Sequence, residues 1–96
     1  MGADSFIVTS KGKTASEAFN AAVKQAQYNH GHAGYTGTIA EKDEYTMIPV
    51  PEGINPRAYA NQLIDDDDKR IADKRGPAGC IKVNEETYLF FGYASS

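Results

Sequence analysis

Counting from Ala15, apolar residues fall at offsets 0, 3, 4, 7, 8 and 11: Ala15, Ala18, Phe19, Ala22, Val23 and Ala26. That spacing is one face of an α-helix. Thr14 and Glu17 supply a capping-box pattern at its start, in which the hydroxyl and the carboxylate each satisfy an orphan N–H. The helix is expected to end near Tyr28 or Asn29, with Gly31 as its stop. Before it, Ser5 to Ser10 is β-branched and aromatic and predicts a strand. Lys11-Gly12-Lys13 turns the chain between the two.

After the helix the pattern breaks. Residues 29–37 are dense in glycine and predict a loop. Thr38-Ile39-Ala40 predicts a short strand, Lys42-Asp43-Glu44 a turn, and Tyr45 to Ile48 another strand ahead of Pro49 and Pro51. The two strands form either a hairpin or one bent strand over 36–50. Asn55-Pro56 supplies a cap and a first-turn proline for a second helix, with Tyr59, Ala60, Leu63 and Ile64 as its buried side. Asp65 to Asp68 should stop it, because negative charge is unfavourable at a helix C-terminus. Ile71 is expected to return to the core, and Gly76 to Gly79 to break the chain. Cys80 to Val83 and Thr87 to Tyr93 then predict a hairpin turning at Asn84 to Glu86.

The expected fold class is α+β, one domain over residues 1–96, in the order β-α-β(β)-α-β-β. Two helices on one face of a mainly antiparallel sheet is the economical arrangement. At 96 residues, 41% apolar and 24% charged, the chain can bury one modest core and is not disordered. No transmembrane helix or signal peptide is expected. A single cysteine, Cys80, fits a reducing compartment, hence a cytoplasmic setting. The net charge is −3, with an acidic excess in both halves. No basic stripe exists to neutralise phosphates, so sequence-independent nucleic-acid binding is not expected, and neither is membrane binding.

Four groups carry candidate chemistry. His30 and His32 are close enough to share a metal, with Cys80, Glu41, Asp43 or Glu44 completing the set. The plain alternative is helix-end histidines. Gly31, Gly34 and Gly37 allow backbone N–H groups to approach an anion or ligand, flanked by the polar groups of His30, His32, Tyr35, Thr36 and Thr38. The plain alternative is a tight connection. Asp65 to Asp68 offer either a phosphate-like acidic surface or a solvated helix end. Cys80 is either a nucleophile served by a histidine or a small buried hydrophobe.

Several stretches together resemble a family of short proteins of tailed phages and bacteria. They are Gly12-Lys13-Thr14-Ala15, Glu17-Ala18-Phe19, Ala22-Val23, Ala26-Gln27-Tyr28, His30 to Lys42, Gly76 to Cys80 and Leu89 to Gly92. The resemblance implies origin rather than activity, and no catalytic residue is carried over with it.

The function expected from these readings is that of a small phage-type accessory protein acting by binding. Its partner would be a host protein or a small-molecule ligand, met in the host cytoplasm. Its site would be His30, Gly31, His32, Gly34, Tyr35, Thr36, Gly37 and Thr38, without a cofactor. One alternative is a metal-dependent or cysteine-based enzyme using His30, His32 and Cys80. Another is an acidic nucleic-acid mimic using Asp65 to Asp68. A homodimer is expected, because the aromatic final strand would leave apolar surface or an edge unpaired.

Overall fold

The computed structural model describes residues 3–30 and 37–95, with the His30 side chain excepted. Its elements are β1 (Ala3–Lys11), α1 (Ala15–His30), a single 3-10 turn (Ile39–Glu41), β2 (Tyr45–Met47), α2 (Pro56–Asp65), β3 (Ala78–Asn84) and β4 (Thr87–Ser95). The four strands form one sheet in the order β1-β4-β3-β2. β4 is antiparallel to both β1 and β3, and only the short β2 runs parallel to its neighbour. The chain is therefore the α+β domain with a mainly antiparallel sheet that its patterning predicts.

Local chemistry explains the helix boundaries. The Glu17 N–H donates to the Thr14 hydroxyl oxygen at 3.1 Å, and the Glu17 carboxylate accepts from the Lys13 N–H at 2.9 Å. The capping box is present, with the carboxylate reaching one residue further back than the usual pattern. Asn55 caps α2 by accepting from the Ala58 N–H at 3.1 Å, and Pro56 occupies the first turn. Close approach explains Gly12: a Cβ there would stand 2.6 Å from the Ala18 backbone nitrogen, so only glycine lets β1 turn directly under α1.

The helices lie on opposite faces of the sheet, not together on one. Phe6, Cys80, Tyr88, Phe90 and Ala94 pack with Phe19, Ala18 and Ala22 of α1. Their neighbours in sequence, Ile81, Leu89 and Phe91, pack with Ala60, Leu63 and Ile64 of α2. Successive strand residues point to opposite faces. The run Leu89-Phe90-Phe91 is thus apolar on both sides, and each side needs its own cover. Ile71 is 1% exposed and does return to the core, on the α2 side.

Two further expectations change. Thr38 to Ala40 is not a strand. Thr38 caps the 3-10 turn, its hydroxyl accepting from the Ala40 N–H at 3.2 Å. Ile39 thereby buries itself beside α1 with no strand partner. The aromatic final strand is also not an edge, since β4 is paired on both sides. The edges of the sheet are β1 and β2.

Candidate functional site

A groove of about 470 Å³ opens between α1 and β1. Its apolar surface comes from Phe6 and Val8 of β1, Ala22 and Ala26 of α1, and Ile39 of the 3-10 turn. Polar groups join it from Thr9, Ser10 and Lys11 at the end of β1, Gln25 and Asn29 of α1, and Thr38. The Gln25 amide donates to the Asn29 side-chain oxygen at 3.3 Å across one helical turn. Lys11 is the one charged residue among the described residues of its lining. The groove exists because the elements that frame it carry short side chains. Alanine at 21, 22 and 26 keeps the flank of α1 low, and Val8 and Ser10 face it from the strand.

The structure thus brings Thr38 of the expected loop site to a cavity. Gly37 is buried just before it, with a φ of 70° and its N–H donating to the Ser95 carbonyl at 2.8 Å. That bond anchors the chain to the end of β4. Gly31, His32, Gly34, Tyr35 and Thr36 lie outside the described residues, as does the side chain of His30, whose backbone closes α1. Among the described residues no three His, Cys, Asp or Glu side chains gather as metal ligands would.

Cys80 takes the buried position of a small apolar residue. It is fully buried in the α1-side core, and burial pushes its thiol up to about 12. A thiol held that high carries almost no thiolate near neutrality, and thiolate is the reactive form.

The aspartate run is a helix stop built from its own backbone. The Asp68 N–H donates to the Leu63 carbonyl and the Asp67 N–H to the Ile64 carbonyl. Asp67 takes a φ of 52°, completing a Schellman-type C-cap without glycine. Asp68 pairs with Arg70 at 2.9 Å, which lowers the carboxylate's pKa through the side-chain hydrogen bond first. The Tyr93 hydroxyl reaches the Ile64 carbonyl at 2.8 Å and Asp67 at 3.1 Å. Asp67 and Asp68 are therefore engaged in fixing the end of α2.

Lys42 stands out only in three dimensions. It is 3% exposed, and its ammonium donates to the carbonyls of Gly76 at 2.9 Å, Lys74 at 3.2 Å and Asp73 at 3.3 Å. Burial lowers its pKa, and the charge of Asp73 opposes that shift. No sequence signal marks it, because its acceptors are backbone atoms over 30 residues away.

Among the described residues no helix is long and apolar enough to cross a membrane. No family model, no curated protein and no solved structure matches the chain.

Proposed function

We propose that the protein acts by binding, and that the groove between α1 and β1 takes a small organic ligand. The observation that carries this reading is the groove itself. Its volume of about 470 Å³ falls within the range of ligand sites, roughly 300–1,000 Å³. An apolar floor with a few polar groups at its rim is also their usual composition. Phe6, Val8, Ala22, Ala26 and Ile39 would hold the ligand's apolar body. Ser10, Gln25, Asn29 and Thr38 would meet its polar end. The inert Cys80 supports binding over covalent catalysis. The resemblance to short phage proteins supports an accessory role in a host cytoplasm, where such a protein sequesters what it binds.

The test is native mass spectrometry of the purified protein, to detect a small molecule carried with it, beside titration with the dye anilinonaphthalene sulfonate. Wild type should give saturable fluorescence enhancement, and Ala26→Phe, which fills the groove, should lose it with circular dichroism unchanged. Equal dye binding by the two proteins, with no carried molecule, would reject the groove as the site.

A further inference from the structure

Among the described residues, no strand covers the edge of the sheet beside the groove. β1 is nine residues long, and among the described residues it pairs with β4 alone. Sheets usually protect an edge by keeping it short or by placing charge or proline on it. The opposite edge follows that rule: β2 has three residues and runs into Pro49 and Pro51. β1 does not. From Ser5 to Ser10 it carries no charge and no proline.

The backbone says which groups the edge presents. The Gly12 N–H donates to the Glu86 carbonyl at 3.0 Å, continuing the β1–β4 register by one residue. Hydrogen-bonded pairs in an antiparallel ladder recur every second residue. The even-numbered residues of β1 therefore bond to β4. Ser5, Ile7, Thr9 and Lys11 turn their N–H and C=O groups outward.

We propose that this edge pairs with the same edge of a second copy, so that two four-stranded sheets join into one across a two-fold axis at Ile7. A two-fold axis normal to the sheet makes the two β1 strands antiparallel and keeps each face continuous. Outward groups must meet outward groups, so odd-numbered residues face odd-numbered residues. The register that overlaps the full strand sets Ile7 opposite Ile7 of the partner subunit and Ser5 opposite Thr9 of the partner subunit. The end charges do not oppose it. Asp4 and Lys11 sit at opposite ends of β1. Antiparallel pairing in this register sets Asp4 across from Ser10 of the partner subunit and Lys11 across from Ala3 of the partner subunit, so no like charges meet.

The same axis brings the two α1 helices onto one face. α1 packs more on β1 than on β4, so each helix lies near the axis. Tyr28 follows Gln25 by three residues and Ala21 by seven, which places it on the groove-side flank of α1. It is 87% exposed, the most exposed large apolar side chain among the described residues. In the dimer each groove opens toward the partner's α1, and Tyr28 gains cover. The pairing is independent of whether the groove holds a ligand.

Two measurements test it. Light scattering at micromolar concentration should give twice the 10.4 kDa chain mass. Thr9→Pro should give the single chain mass, because it removes an outward N–H and leaves the bonds to β4 in place. Amide exchange followed by NMR on wild type needs no variant to fold. The amides of Ser5, Ile7 and Thr9 should exchange about tenfold or more slowly than unpaired edge amides do. A wild-type monomer would overturn the proposal. So would a dimer in which these three amides exchange freely, or a folded Thr9→Pro protein that stays dimeric.

Discussion

The Lys42 ammonium donates to the Gly76 carbonyl at 2.9 Å, pinning the segment that leads into β2 against the turn that leads into β3. Those strands are parallel neighbours, so no hairpin fixes their register. The lysine does part of that work by also holding Lys74 and Asp73. Lys42→Met should keep the stem and remove the donor, leaving three carbonyls beside a buried side chain without it. The expected loss is about 2–3 kcal/mol, read from urea denaturation. A loss below about 0.5 kcal/mol would mean that water replaces the ammonium at no cost.

Cys80 makes stability depend on alkaline pH. Its thiol titrates near 9.0 when unfolded and at about 12 in the fold. A raised folded pKa means the contribution is complete below 9.0 and is lost as pH climbs toward 12. Each pH unit in that window should remove about 1.4 kcal/mol. Lys42, with its lowered pKa, moves stability the opposite way in the alkaline range. The thiol is therefore read by difference, as the gap between wild type and Cys80→Ala in urea at about pH 8 and about pH 10. The gap should narrow at the higher pH, and a constant gap would contradict the assignment.

Phe19 joins α1 to the sheet through two aromatic neighbours. Its ring centroid lies 5.1 Å from Tyr45 and 5.5 Å from Phe90, the latter edge-on. Phe90 is fully buried, and Phe19 is 6% exposed. Phe19→Ala would leave a cavity that these rings fill only in part, at a cost of about 3–5 kcal/mol. The urea midpoint measures it, and a change under about 1 kcal/mol would remove Phe19 from the core.

The helix stripe through Phe19 was legible because apolar positions from Ala15 to Ala26 keep the helical period of about 3.6 residues, which the two-residue alternation of a strand cannot match. Asn55-Pro56 was legible for the same local reason, since cap and first-turn chemistry act within one turn. The placement of the helices was not. The economical arrangement assumed one covered face, and the two-sided run Leu89-Phe90-Phe91 overrules it only once β4 is known to be central. Thr38 to Ala40 misled because three residues carry little periodicity, and the Thr38 cap fixed the turn instead. Lys42 and the groove were hidden because both depend on contacts between segments far apart in sequence. Of the expected loop site, Thr38 reaches the groove, and the stretch from Gly31 to Thr36 lies outside the described residues.

Asp67 supplies the last test, because it separates a structural acidic run from a recognition surface. It holds a left-handed conformation at φ 52°, where glycine carries no Cβ penalty. It also adds negative charge where the carbonyls of α2 already point. Against this stands one hydrogen bond from Tyr93 at 3.1 Å, and that hydroxyl keeps its shorter bond to Ile64. Asp67→Gly should therefore raise stability by about 0.5–1 kcal/mol, although it removes an acidic side chain. Asp67→Val should lower it, since a β-branched residue is strained at positive φ. Thermal unfolding of the two variants decides the point. If Asp67→Gly destabilises, the carboxylate contributes more through Tyr93 than its backbone conformation costs, and the C-cap account of the run fails.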